Sequence, residues 1–287
     1  MAGIQNTCFE NRMSCRDHGV RVFGTPALRC LFVAAALVLS PASAEPLSDA
    51  RRERVIDLPL TAGHQRVLYL RPEHPWATII MLPGGAGDLG IARDGAIRHP
   101  DNFVVRSRTL WTDKGIAVVI ADTIDHANLR GERSSARYAE IVDDLIGFAS
   151  EQSRAPVFLL GTSQGSIAAM NGAAHAKSGA LAGVVLTESV SRIGGSHETV
   201  FDAQPEAVRI PALIVANRDD RCTVAPPGDA RRIAAAMTGS PNVKVLMVAG
   251  GIVATKRPCG SLSPHGYYGL EAEVVDDVAR WMRLHER

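Results

Sequence analysis

Residues 157–174 read VFLLGTSQGSIAAMNGAA. An apolar run, Val157-Phe158-Leu159-Leu160, enters Gly161-Thr162-Ser163-Gln164-Gly165, and a helical pattern of small residues begins at once. Few folds accommodate such a junction. An unbroken apolar run suits a strand covered on both faces, as in a parallel sheet. A helix that leaves directly from the strand end must turn sharply, and the glycines remove side chains that would collide there. Ser163 is left at the tip of that turn.

The same alternation recurs along the chain. Residues 55–60 and 66–70 read as a pair of strands, and 77–82 as a buried strand ending in Pro83-Gly84-Gly85-Ala86-Gly87. Residues 102–114 read as a helix stopped by Gly115, 116–121 as a strand ended by Asp122, and 136–150 as an amphipathic helix. Strands are expected at 157–160, 183–186, 212–216 and 243–248, with helices at 229–237 and 270–284. This order implies an α/β fold with a mainly parallel central sheet and helices on both faces. Residues 187–209 lack strong periodicity and are too few for a large cap domain.

The N-terminal segment has a different character. Arg21 and Arg29 precede the apolar run 31–39, LFVAAALVL, and Ser40-Pro41-Ala42-Ser43-Ala44 follows. The pattern is that of a secretory signal peptide, residues 1–44, cleaved after Ala44 to leave one domain, 45–287. The apolar run is far below the roughly 20 residues of a membrane-spanning helix, so no stable membrane anchor is expected. The destination would be periplasmic or secreted. Without the segment's four arginines and two acids the chain carries 27 basic and 28 acidic residues. That balance, with no basic stripe and only 5% aromatics, argues against a nucleic-acid partner.

Chemistry-bearing residues collect at strand ends. A serine hydroxyl needs a base to become a nucleophile, and an imidazole base needs an acid to orient it. Asp219 and Asp220 follow strand 212–216, and His265 follows the last strand in Ser263-Pro264-His265-Gly266. The other seven histidines of residues 45–287 lie elsewhere, and His265 alone falls between the final strand and the closing helix. The register from the strand end favours Asp219 as the acid, with Asp220 as its alternative. No H-E-x-x-H and no C-x-x-C spacing is present, so neither a metal nor another cofactor is expected.

Leu82-Pro83-Gly84-Gly85, Gly161-Thr162-Ser163-Gln164-Gly165, Asn217 to Cys222, and Cys259 to Gly266 together resemble the α/β-hydrolase superfamily across residues 45–287. The likeness is greatest to exported bacterial serine esterases without a large cap. It implies Ser163 as nucleophile, Asp219 as acid and His265 as base. It also implies an oxyanion hole formed by the Gln164 amide and that of Gly85, or alternatively Ala86. A proline stands where a histidine is frequent before the oxyanion glycines, and Arg221-Cys222 after the acids is not universal in that group. The implied activity is hydrolysis of a small-molecule carboxylic ester. A peptidase or amidase of the same fold, or a non-catalytic binding protein, are the alternatives. Cys222 and Cys259 remain after cleavage, and an even pair in an exported chain is a disulfide candidate. In such an architecture the bridge would join the acid turn to the histidine loop.

Overall fold

The structure, a computed structural model, describes residues 53–60 and 62–286. The signal peptide expected over residues 1–44 lies outside them. One sheet contains eight strands: β1 (Arg54–Leu60), β2 (Gly63–Leu70), β3 (Ala77–Leu82), β4 (Ile116–Ala121), β5 (Val157–Thr162), β6 (Gly183–Thr187), β7 (Ala212–Asn217) and β8 (Val243–Val248). Their spatial order is β1-β2-β4-β3-β5-β6-β7-β8. β1 and β2 form an antiparallel pair, β2 meets β4 antiparallel, and every pairing beyond is parallel. The mainly parallel sheet expected from the sequence is the one observed.

Every residue of β3, β4, β5, β6 and β7 is buried, the signature of strands covered on both faces. The helices are α1 (Phe103–Arg106), α2 (Arg108–Asp113), α3 (Ala136–Gln152), α4 (Gly165–His175), α5 (Ala230–Ala236) and α6 (Glu271–Arg283). Strand alternation sends Ile80, Val119 and Leu159 to one core with Val142, Leu145 and Ile167 of α3 and α4. Ile79, Val118 and Phe158 go to the other, with Trp111 of α2 and Val278 and Trp281 of α6. No helix among the described residues is long and apolar enough to cross a membrane. Residues 187–209 add only a short 3₁₀ turn, Pro205–Ala207, and no cap domain.

Two expectations need correction. The helix expected over 102–114 is broken at Ser107 into α1 and α2. The buried Ser107 hydroxyl bonds back to the Phe103 carbonyl at 2.8 Å and accepts from Trp111 Nε1 at 3.1 Å, which offers the backbone an alternative to helix continuation. Strand β7 runs to Asn217, one residue past the expected end, and this shifts the register of the turn that follows.

The glycines flanking Ser163 are required by backbone contact. A Cβ on Gly161 would lie 2.1 Å from the Gly165 carbonyl oxygen, and one on Gly165 would lie 2.1 Å from that of Leu82. Gly147 in α3 is exposed and has open space around it. Urea denaturation should therefore separate the sites. Gly161→Ala or Gly165→Ala should cost about 2–3 kcal/mol through overpacking. Gly147→Ala should gain about 0.5–1 kcal/mol from helix propensity and reduced unfolded-state entropy.

Candidate active site

The ends of β3, β5 and β7 and the loop after β8 meet at one edge of the sheet, where open α/β sheets form their clefts. Ser163 sits between β5 and α4 with φ of 52°, a left-handed conformation that a serine adopts only under constraint. Its N–H donates to the Thr187 carbonyl at 2.9 Å. Gly84 presses on it from the neighbouring loop, where an added Cβ would come within 3.0 Å of the Ser163 Cβ.

His265 lies in a buried 3₁₀ turn, Pro264–Gly266, whose start is capped by Ser263 Oγ accepting the His265 N–H at 3.2 Å. Its Nε2 is 2.9 Å from Ser163 Oγ. Its Nδ1 is 2.7 Å from Asp220 Oδ2, and the Asp220 side chain is wholly buried. The carboxylate on the imidazole is thus Asp220 and not Asp219, which the sequence register favours. Asp219 is exposed and accepts the Gly250 N–H at 2.6 Å. The cause is the extra residue in β7. Asn217 ends the strand, the Asp220 N–H closes a turn onto the Asn217 carbonyl at 3.0 Å, and the inward position falls on Asp220. Asn217 also locks the two loops, its Nδ2 donating to the Gly250 and Pro264 carbonyls at 3.1 Å each.

Cys222 and Cys259 are joined by a disulfide with Cα atoms 4.6 Å apart, so the acid turn is tied covalently to the histidine loop. The Cys222 N–H donates to Asp220 Oδ1 at 2.7 Å, which fixes the carboxylate from its other side. Arg106 anchors the histidine loop from α1. Its guanidinium donates to the Gly266 carbonyl at 2.7 Å and the Ser261 carbonyl at 3.1 Å, and pairs with Glu271 of α6 at 2.8 Å.

The glycine-rich loop after β3 makes a tight turn in which the Gly87 N–H donates to the Gly84 carbonyl at 3.2 Å, with Gly85 at φ of 62°. Among the described residues, the N–H groups of Gly85, Ala86 and Gln164 have no hydrogen-bond partner within the protein. A fully buried arginine braces this turn. Arg133 Nη2 donates to the Gly85 carbonyl at 3.0 Å and the Pro83 carbonyl at 3.4 Å, while Nη1 reaches Gln164 Oε1 at 3.4 Å. Buried Glu198 in turn holds the arginine's backbone, accepting the N–H groups of Gly131, Arg133 and Ser134 at 2.9–3.2 Å. Arg133 and Glu198 carry no signal in the sequence pattern because each lies in an irregular segment, and Arg106 is one more charge within the helical pattern of 102–114. Arg133 and Glu198 share a charged side chain that ends up buried, and the Arg106 side chain is left 16% exposed; neither is visible before folding.

Ser163 and His265 open into a cleft of about 550 Å³ bounded by Gly85, Ala86, Phe103, Arg130 and Arg257. Among the described residues, Glu188, Asp220 and His265 are the group whose donor atoms lie close enough to meet a cation, within 4.8 Å of one another. Nδ1 of His265 and both oxygens of Asp220 are already engaged in hydrogen bonds. Chemically, the arrangement links a hydroxyl, an imidazole and a carboxylate in one line of proton-accepting partners, with free amide donors on the turns beside the hydroxyl.

The disulfide generates a stability prediction. It closes a separation of 37 residues, for which the chain-entropy account gives about 4 kcal/mol. Urea denaturation with and without reductant should show a loss up to about that size. An unchanged midpoint on full reduction would contradict it.

No family model matches the sequence, and neither does any curated protein. Solved structures do match in shape. A dienelactone hydrolase from Anabaena variabilis is 13% identical with a TM-score of 0.57, covering 83% of this chain and 100% of that one. An α/β serine hydrolase homologue from Coxiella burnetii is 16% identical with a TM-score of 0.57, covering 81% and 99%. A serine hydrolase without a lid from Xanthomonas campestris is 12% identical with a TM-score of 0.56, covering 83% and 97%. Identities this low speak to architecture alone, and together with the strand order they show that the chain has the α/β-hydrolase fold.

Proposed function

We propose that the protein is a serine hydrolase that cleaves small carboxylic esters through an acyl-enzyme. The observation that carries this reading is the continuous line from Ser163 Oγ to His265 Nε2 at 2.9 Å and from His265 Nδ1 to Asp220 at 2.7 Å. Each separation is within hydrogen-bond reach, so His265 can take the hydroxyl proton as Ser163 attacks the acyl carbon. The resulting imidazolium is stabilised by Asp220. The tetrahedral oxyanion would be bound by the N–H of Gln164 and that of Gly85, with Ala86 as the reserve donor. Collapse expels the alcohol, which leaves with the proton held by His265. Water then attacks the acyl carbon, His265 takes its proton, and the acid is released as the Ser163 hydroxyl is restored.

The open cleft supports small, soluble substrates over emulsified lipid. Its walls mix Phe103 and Leu262 with Arg98, Arg130, Arg257 and Asp101, and no cap domain among the described residues would open at an oil–water interface. Export is part of the proposal. The Arg-flanked apolar run ending at Ala44 and the disulfide between Cys222 and Cys259 both support an oxidising compartment beyond the cytoplasm.

A panel of p-nitrophenyl esters and peptide anilides tests the reaction. Short and medium acyl esters should turn over fastest, and Ser163→Ala should reduce kcat by several orders of magnitude, on the order of 10⁴ or more, without loss of fold. Cleavage of anilides in preference to esters, or retention of most activity by Ser163→Ala, would contradict the assignment. For export, N-terminal sequencing of the protein expressed with its leader should begin at Glu45, and a mature chain still carrying residues 1–44 would contradict it.

A further inference from the structure

A fourth ionisable side chain lies beside the relay. Glu188 follows β6 with φ of 44°, is 1% exposed, and donates its N–H to the Val215 carbonyl at 3.1 Å. Its Oε1 accepts the Asn217 N–H at 2.8 Å. Its Oε2 is buried with no hydrogen-bond partner among the described residues. The carboxyl group lies with those of the relay, since donor atoms of Glu188, Asp220 and His265 fall within 4.8 Å of one another.

A buried carboxylate oxygen without a partner is costly, and two carboxylates in one buried site cannot both ionise cheaply. Among the described residues, the groups facing Glu188 include no lysine or arginine. The turn after β7 contributes Asp220, and the histidine turn contributes His265 and Tyr267. Tyr267 spends its proton on the Val215 carbonyl at 3.0 Å. The side towards α5 presents Ala225, Pro226, Ala230 and Ile233, which are apolar. Burial, and then the charge of Asp220, push the Glu188 carboxyl well above the ordinary glutamate range.

We propose that Glu188 is a positioning residue of the relay: it holds the one proton of the Glu188–Asp220 pair and donates it to Asp220, which remains the single anion and stays turned towards His265. The proton gives the orphaned Oε2 a use as a donor. Oδ2 of Asp220 is then fixed by His265, Oδ1 by the Cys222 N–H, and the carboxylate as a whole by Glu188 from the side of β6. Sequence reading missed Glu188 because nothing marks it in Thr187-Glu188-Ser189. Its role depends on β6 and β7 lying side by side.

The inference rests on the serine hydrolase reading, and the test separates the two. The His265 imidazole is titrated by NMR in the unaltered protein and in Glu188→Gln. Gln is neutral, as Glu188 is in this account, so the His265 midpoint should move by less than about half a unit. If Glu188 were ionised, removing a charge this close would lower the midpoint by more than about one unit, and the proposal would fall. The titration needs no turnover, so it reads Glu188 even if Ser163 proves not to be the nucleophile. Absence of ester hydrolysis in the unaltered protein would count against the function and not against this result. Kinetics supply the second readout. Glu188→Leu, which offers no donor, should lower kcat at least about 30-fold with KM nearly constant, and Glu188→Gln should restore kcat to within about threefold of the unaltered protein. Equal kcat in the Leu variant, or a folded Gln variant as impaired as the Leu one, would overturn the proposal. Should Glu188→Leu fail to fold, the Gln variant and its titration still decide.

Discussion

The site depends on one buried hydrogen bond, from His265 Nδ1 to Asp220 at 2.7 Å. A carboxylate removed from water is destabilising unless its oxygens are satisfied and its partner is held in place. Here the carboxylate sits on a turn and the imidazole on a separate loop 45 residues further along the chain. Neither loop belongs to a helix or strand that would place it. The disulfide, the Asn217 amide, the Cys222 N–H and the Arg106 guanidinium all bridge or brace these two loops. Among the described residues, the hydrogen-bond partner left to the imidazole's other nitrogen, Nε2, is the Ser163 hydroxyl.

The serine side is built by a different device. Its position comes from a strained backbone between two glycines that admit no side chain, and from the fully buried strand β5 beneath it. The turn that carries Gly85 and Ala86 is pinned by Arg133, itself held through Glu198. A buried arginine with its carbonyl acceptors fixed can hold a loop that contributes no core side chains of its own. The result is a buried sheet with two loop systems, one tied by hydrogen bonds of a buried arginine and the other by a disulfide. In the proposed reaction this preorganisation keeps the amide donors and the imidazole fixed while charge moves between them.

The sheet was legible in the sequence because its central strands are continuous apolar runs with glycine or an acid at their ends. Ala77–Leu82, Ile116–Ala121 and Val243–Val248 have the bounds read from the sequence. The break at Ser107 was not legible, since it comes from a side-chain bond to Phe103 and Trp111 inside a helical pattern. Ser163 and His265, whose side chains the fold brings to 2.9 Å, could be picked out because their positions are marked locally, in an elbow between glycines and in a loop between the last strand and the last helix. Asp219 was favoured over Asp220 because a strand end read from the sequence carries an error of a residue or more, and one residue reverses which side chain faces inward. Cys222 and Cys259 could be paired by counting and by knowing which loops meet. Arg133, Glu198 and Glu188 could not, because a charged residue in an irregular segment looks the same whether it meets solvent or a buried partner, and Arg106 could not, because a charge in a helical pattern reads as a solvated face.

The central claim is that Ser163 is activated by His265 held on Asp220. The rate of covalent labelling by a fluorophosphonate, followed by intact mass and by peptide mapping, reads that activation without any choice of natural substrate. The account predicts a single adduct on Ser163, formed about 10³-fold or more slowly in Asp220→Asn and at an almost unchanged rate in Asp219→Asn. An adduct elsewhere, no adduct at all, or equal slowing by the two substitutions would contradict it.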